Sequence, residues 1–326
     1  MKHLFSIIIG LLLAAHAATS LGQSANWNLA SLIADKSFTA ENYRIFAEDV
    51  KNATNGRIEI KVHTASTLIK EQEIRDAVRK GVVPLGDIIM STLGNENPVF
   101  EADSLPFLAT SYQQALVLWN VTRPYVERHL DRQGMMVLFV TPLTPQGFFT
   151  KKPVATVADF KGMKFRTYNS LTARMAELLG AVPTQVVIAD VPSAFSTGRI
   201  DGMVTSPVTG ANISAWDFSS YFYHTQGWLP NMGVLMNKAI FGQLDKKDQK
   251  IILDAAATAQ KRGWEMSDAD TMRGGVDILK AKGMKGITPP AELVNGLRKI
   301  GATMAAEWEK KGGADAEAIM KAYRAK

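Results

Sequence analysis

Few residues in this sequence are spaced for catalysis or for metal binding. Histidine occurs at positions 3, 16, 63, 129 and 224, and no two of these have an H-x-x-x-H or H-x-H spacing. Cysteine is absent, which excludes thiol nucleophiles, iron–sulfur clusters and Cys-ligated zinc. The G-x-S-x-G and G-x-x-x-x-G-K-[ST] motifs are also missing, as is G-x-G-x-x-G after a strand. We therefore expect no enzyme, no metal and no cofactor.

Arg166 offers a different chemistry, the binding of an anion. A guanidinium presents two parallel N–H donors to a carboxylate and stays charged when it is buried. Arg166 follows residues 159–164, which suit a capped turn that would hold the next strand rigidly. On the residues alone, a surface arginine paired with an acid is an equally good interpretation.

The charge balance gives no sign of a nucleic-acid partner. The 326 residues include 37 basic and 31 acidic side chains, for a net charge of +6. Lys and Arg are scattered along the chain, and the short basic pairs Lys246-Lys247 and Lys310-Lys311 are interleaved with acids. This pattern is typical of solvated helix faces.

The first residues have the pattern of a secretory signal peptide. An apolar run over 4–15 is shorter than the roughly 20 residues of a membrane span, and Ala15-His16-Ala17 fits the A-x-A cleavage pattern. We interpret 1–23 as the signal, with cleavage between 17 and 25. Because no Cys follows it for lipid attachment, we expect a freely diffusing periplasmic protein.

The elements that would position Arg166 form two α/β patterns. In the first pattern we predict strands at 24–34, 58–63, 88–90 and 135–140, and helices from Thr39 to Asn55, over 70–80 and from Ser111 with a break near Pro124. In the second we predict strands around Phe165, 186–188 and Met203-Val204, and helices over 171–179 and 192–197. After Asp245 we predict helices over 248–262, 264–282, 291–311 and 314–325.

Pro- and Gly-rich crossovers near 141–147 and Leu229-Pro230 would connect the two patterns. The fold class is therefore α/β, with two lobes that form a clamshell. We assign 24–143 plus 232–271 to lobe I, and 144–231 plus 272–326 to lobe II. Since open α/β sheets bind ligands outside the carboxyl ends of their strands, we expect a ligand cleft between the lobes.

Several short segments also occur in a recognisable order. They are Asn55–Val62, Glu73–Gly81 with Gly86-Asp87-Ile88, Ser104–Leu108, Asp159–Arg166, Ala194–Gly202, Tyr221–Thr225 and Phe241–Ala256. Through them, Thr39 to Ala256 resembles the solute-binding proteins of TRAP (tripartite ATP-independent periplasmic) transporters, the DctP family of periplasmic organic-acid receptors.

This resemblance implies a two-lobed periplasmic binding protein clamshell with hinge strands, braced by a long helix that spans both lobes. It also implies capture of a carboxylate-containing solute, delivered to a small and a large membrane subunit whose transport is driven by an ion gradient. We expect a monomer that binds no nucleic acid. A solute receptor of another import or sensing system and, less favoured, a periplasmic enzyme are the alternatives.

The resemblance also implies the residues of the site, with Arg166 as the arginine that holds the ligand carboxylate. The expected ligand contacts are Arg166, Thr205, Ser206, Ser91, Thr92, Phe148, Ile188, Gln146 and Trp228.

Two departures from the family pattern bear on the ligand. Val204-Thr205-Ser206 replaces an acid–amide pair, and 146–150 lacks the second arginine of some members. With apolar Phe148, Phe149 and Ile188, these departures favour a monocarboxylate with an apolar body, such as an aromatic or 2-oxo acid. A sugar acid would leave hydroxyls without partners.

Overall fold

The computed structural model of the protein describes residues 24–326, so the predicted signal peptide lies outside the described residues. Its strands form two five-stranded sheets, with helices packed on them. The strands are β1 (Ala25–Ala30), β2 (Ile58–His63), β3 (Leu85–Ile89), β4 (Met135–Pro142), β5 (Gly147–Thr150), β6 (Lys164–Thr167), β7 (Val182–Gln185), β8 (Gly202–Thr205), β9 (Tyr221–Tyr223) and β10 (Asn231–Asn237). The two-lobed α/β fold class predicted from the sequence is confirmed.

Both sheets have the same mixed topology. The first has the strand order β2-β1-β3-β10-β4, and the second has the order β7-β6-β8-β5-β9. In each, three strands are parallel (β1 with β2 and β3, and β6 with β7 and β8), and the pairs made by β10 and by β5 are antiparallel. The parallel strands of each sheet therefore end at one edge, where loops carry side chains toward a ligand.

The helices cover these sheets and link them. They are α1 (Phe38–Ala53), α2 (Ile74–Arg79), α3 (Tyr112–Arg132), α4 (Ser170–Leu178), α5 (Val191–Ser196), α6 (Pro207–Asn212), α7 (Lys238–Gly242), α8 (Lys246–Asp270), α9 (Asp277–Ala281) and α10 (Ala291–Arg324). In α1, Tyr43, Phe46, Ala47 and Val50 are buried, as their 3.6-residue spacing predicts. None of the described helices combines the length and hydropathy needed to cross a membrane.

Three segments pass from one sheet to the other. Residues 143–146 join β4 to β5, and residues 224–230 join β9 to β10. The third connection is helical, because α8 packs on β4 and continues through a π-helical segment (Thr271–Val276) that packs on α6. The helix α10 braces both lobes, since Trp308 donates to the Pro98 carbonyl (2.6 Å) and Glu307 pairs with Arg174 (2.7 Å).

Two predicted helix breaks are wrong, and one is confirmed. The helix α3 runs through Pro124, which is exposed, so solvent can reach the carbonyl that loses its partner. The helix α8 runs through Gly263, where a Cβ would lie 2.5 Å from Thr141 Oγ1, so this glycine serves close packing. The predicted break between 311 and 314 is real, because Gly313 has non-helical backbone angles.

The strand predicted at 186–188 is also wrong. The strand lies earlier, at β7, and residues 188–190 form a 3-10 turn. β7 is an edge strand and contains Pro183, which an edge tolerates because its missing N–H is not needed by a further strand. The apolar run of Val186, Val187 and Ile188 instead leads from the sheet edge into the region between the lobes.

We expect Gly301→Ala to destabilise the brace formed by α10. A Cβ at Gly301 would collide with the carbonyl oxygen of Pro106, and the clash is with backbone, which cannot rotate away. Overpacking of this kind costs about 1–3 kcal/mol. Thermal unfolding should show a lower midpoint than wild type. Gly242→Ala is the control, because no atom lies within 4 Å of the Cβ position there; an equal midpoint for the two variants would contradict the close contact.

Candidate functional site

A cavity of about 250 Å³ lies between the two sheets, at the carboxyl ends of their parallel strands. Lobe I contributes the segments after β1 and β2 and the end of β3. Lobe II contributes β6, the turn after β7, and the end of β8 with the start of α6. The crossover segments add Leu143, Thr144, Gln146 and Pro230. This is the position that the strand order predicts for a ligand cleft.

Arg166 lies in the middle of β6 and is 4% exposed. Its Nε donates to the Val186 carbonyl (2.9 Å), its Nη1 donates to the Val204 carbonyl (3.4 Å), and its guanidinium carbon lies 5.0 Å from the centre of the Tyr168 ring. Burial lowers the pKa of Arg166 to about 10, so the group stays charged at neutral pH. The three contacts fix the guanidinium plane and leave donors for a ligand.

No carboxylate among residues 24–326 forms an ion pair with Arg166. The alternative interpretation, a surface arginine paired with an acid, is therefore wrong. A buried cation that faces a cavity without an ion pair is suited to an anionic ligand, because a ligand carboxylate would restore the interactions lost with water.

The strand that carries Arg166 is fixed from behind by a capped turn. Asp159 accepts hydrogen bonds from the backbone N–H groups of Ala155 and Thr156, both at 2.8 Å, which lower the pKa of that carboxyl. Gly162 has a positive φ of 73° and donates to the Gly180 carbonyl (2.8 Å), which allows the turn to lead directly into β6. The rigid support predicted for Arg166 is present.

Five of the nine predicted contact residues line the cavity. They are Arg166, Gln146, Ile188, Thr205 and Ser206. Ser206 caps α6, where its Oγ accepts from the Thr209 N–H (3.1 Å). Thr205 adds a hydroxyl, and Ile188 adds apolar surface.

The other four predicted residues do not line the cavity. Ser91 is 1% exposed and accepts from Asn169 Nδ2 (2.8 Å), and Thr92 donates to the Ile89 carbonyl (2.7 Å). Phe148 is fully buried against Phe160 and Phe165. Trp228 is 1% exposed in the second crossover. Their contact with a ligand stays a prediction.

Eight polar cavity residues were not predicted from the sequence: Ser37, Thr39, Ser66, Glu71, Thr144, Tyr168, Thr209 and Asn212. Glu71 begins a 3-10 turn after β2, Tyr168 follows β6, and Thr144 lies in the first crossover. The Thr144 hydroxyl is fully buried without a hydrogen-bond partner among the described residues, so it is available to a ligand. The Pro-flanked crossover could have indicated from the sequence that Thr144 lies at the cavity. No local sequence pattern indicates this for Glu71.

Asp87 supports the lobe I wall from below. This fully buried carboxylate in β3 accepts from Ser31 Oγ (2.6 Å) and from the Leu32 N–H (2.9 Å), and Ser31 Oγ in turn accepts from the Ile33 N–H (3.1 Å). Because Leu32 and Ile33 line the cavity, Asp87 fixes part of its apolar wall. Burial raises the pKa of Asp87 to about 7.

The arrangement favours binding over catalysis. His63 contacts Asn28 Oδ1 (2.8 Å) and His224 is held near the second crossover, so neither lies in the cavity. Within residues 24–326, no group of three metal-ligating side chains comes together. The cavity presents a fixed cation, several hydroxyls and an apolar wall, which together can hold and orient a small acid.

This fold and this site define a two-lobed solute-binding receptor. Residues 29–311 match the bacterial extracellular solute-binding proteins, family 7 (DctP), and the chain belongs to this family. The members of the family are receptors and not enzymes. They are extracytoplasmic, and in TRAP systems they work with membrane subunits.

Two solved structures are similar over nearly the whole chain. DctP7, a Bordetella pertussis extracytoplasmic solute receptor binding pyroglutamic acid, is 45% identical, with a TM-score of 0.90 over 92% of this chain and all of that one. A marine metagenome TRAP solute-binding protein specific for pyroglutamate is 36% identical, with a TM-score of 0.90 over 93% of this chain and all of that one. A solute-binding protein of Albidiferax ferrireducens is 24% identical over 78% of this chain and 77% of its own length.

We expect stability to fall as pH rises from about 4 to 7, in part through Asp87. The folded state keeps this proton up to a pKa of about 7, while the unfolded chain releases it near 3.8. A proton that is bound in the folded state and released in the unfolded chain lowers the free energy of unfolding by about 1.4 kcal/mol for each pH unit of increase in this window. Asp103, whose pKa burial also raises to about 7, acts in the same sense.

Asp87→Asn should therefore reduce this slope, measured by guanidinium unfolding between pH 4.5 and 7. Asp217→Asn, at an exposed position, is the control and should keep the wild-type slope. An unchanged slope in Asp87→Asn would contradict the buried, protonated carboxyl.

Proposed function

We propose that this protein captures a small monocarboxylate, with pyroglutamate as the first candidate, and delivers it to the membrane subunits of a TRAP transporter. The observation that carries the proposal is the buried guanidinium of Arg166, which faces an apolar cavity without a carboxylate partner among the described residues. A ligand carboxylate would accept two hydrogen bonds there.

The ligands of two similar receptors support pyroglutamate as the carboxylate that this protein binds. The Bordetella pertussis DctP7 and the metagenome receptor, 45% and 36% identical, are both described with this ligand. Receptors with bound uronate are only about 20% identical and share the fold alone. A compact ring acid also suits a cavity whose wall is mostly aliphatic, with Leu32, Ile33, Ile89 and Val208 among its members.

An aromatic or 2-oxo acid, the ligand class expected from the sequence, has less support. That expectation used Phe148, Phe149 and Ile188. Ile188 lines the cavity, but Phe148 and Phe149 are both fully buried in the lobe II core and do not. The apolar surface comes instead mainly from aliphatic side chains of both lobes, with Phe38 and Tyr168 beside them. These acids belong in the same binding panel as competitors of pyroglutamate.

The remaining parts of the proposal concern export, lobes and assembly. We propose that 1–23 is cleaved as a signal between 17 and 25, and that the mature protein is a periplasmic monomer. We keep 24–143 with 232–271 as lobe I and 144–231 with 272–326 as lobe II, closing as a clamshell on the carboxylate. The division of strands between the two sheets supports the boundaries near 143 and 231.

Arg166→Ala tests the proposal. Removing one partner of a desolvated charge pair costs about 2–5 kcal/mol, so the affinity for pyroglutamate should fall by a factor of roughly 30 or more. Isothermal titration calorimetry measures this directly. Arg199→Ala is the control, because Arg199 is an exposed arginine of the same lobe, outside the cavity.

A far-ultraviolet circular dichroism spectrum equal to that of wild type would establish that Arg166→Ala is folded. Unchanged affinity in this folded variant would refute the role of Arg166. Failure of wild type to bind pyroglutamate, with binding of another acid in the panel, would refute the ligand.

A further inference from the structure

Glu71 places a second charge in the cavity, opposite in sign to Arg166. It begins the turn Glu71–Glu73 after β2 of the first sheet, whereas Arg166 lies in β6 of the second. Both side chains line the same cavity of about 250 Å³, so one small molecule can contact both. The two charges therefore face the ligand from different lobes.

The Glu71 carboxylate is not neutralised by a protein partner. No described residue donates a hydrogen bond to it, and it forms no ion pair with Arg166 or with another described cation. Its side chain is half-buried, and this burial raises the pKa of Glu71, while the positive charge of Arg166 acts in the opposite direction. A carboxylate partly removed from water without a donor is costly, and a donor on the ligand would offset that cost.

An ionised carboxylate also differs from the other polar groups of the cavity. The hydroxyls of Thr144, Thr205 and Ser206 can donate or accept, so they fit a ligand of either kind. An ionised carboxylate only accepts, and it repels a second negative charge. Glu71 therefore requires a donor on the part of the ligand that faces lobe I.

We propose that Glu71 is a specificity-determining residue that accepts a hydrogen bond from an N–H group of the ligand while Arg166 holds the carboxylate. The ligand class is then small monocarboxylic acids with an N–H donor close to the carboxylate, such as ring lactam acids. Isosteres with oxygen in place of the N–H should bind more weakly, and dicarboxylates are disfavoured because Glu71 repels a second negative charge. This inference rests on the function proposed above and adds the chemical group that the site selects.

A matched pair of ligands tests the inference. Pyroglutamate carries a ring N–H, and 5-oxotetrahydrofuran-2-carboxylate has the same ring with oxygen in that place. In calorimetric titrations, wild type should bind the lactam acid roughly 10- to 100-fold more tightly, the range of a hydrogen bond to a charged group.

Glu71→Gln should reduce this ratio to a few-fold, because the glutamine amide can donate to the ring oxygen as well as accept from the N–H. Glu73→Gln is the control. It removes the same charge two residues away, at an exposed position outside the cavity, and should keep the wild-type ratio. Melting temperatures close to that of wild type would establish that both variants are folded.

The outcomes separate the two proposals. The role of Glu71 is overturned if wild type binds the two ring acids with equal affinity. It is also overturned if folded Glu71→Gln keeps the wild-type ratio of the two affinities. In both cases the proposed function as a carboxylate receptor still holds. A wild type that binds neither ring acid overturns the pyroglutamate assignment and this inference with it.

Discussion

The structure depends on keeping one guanidinium charged inside the protein. Removing a cation from water costs several kcal/mol, so Arg166 needs compensation from fixed dipoles. The carbonyls of Val186 and Val204 and the ring of Tyr168 supply part of it. Val186 follows β7, Val204 lies near the end of β8, and Tyr168 follows β6. The order of these three strands in the sheet therefore determines where the charge lies. In the proposed function, a ligand carboxylate would complete the compensation, and Arg166 would thereby select for acids.

The second constraint is that the ligand needs walls from both lobes. Two hydrogen bonds join the lobes next to Arg166: Asn169 Nδ2 donates to Ser91 Oγ (2.8 Å), and Ser170 Oγ donates to Glu101 (2.6 Å). They attach the end of β6 to lobe I, so Ser91 acts on the site by joining the lobes. The apolar wall fixed by Asp87 and the charge of Glu71 then face Arg166 across a small space.

Much of this could be predicted from the sequence, because it depends on local patterns. Strand and helix alternation predicted the two α/β lobes, and the motif around Arg166 predicted a residue that the structure places at the cavity. Phe148 illustrates the limit, since the face to which a strand residue points depends on register, which pairing with β8 and β9 determines. Glu71 could not be found at all, because only the tertiary fold brings the turn after β2 opposite β6.

We propose that a single fixed cation, Arg166, selects a small monocarboxylic acid. Mass spectrometry of the molecule that is released when the protein, purified without added ligand, is denatured tests this proposal. The released molecule should be a monocarboxylic acid with an N–H group, and pyroglutamate first. A released sugar acid, dicarboxylate or uncharged solute would contradict it.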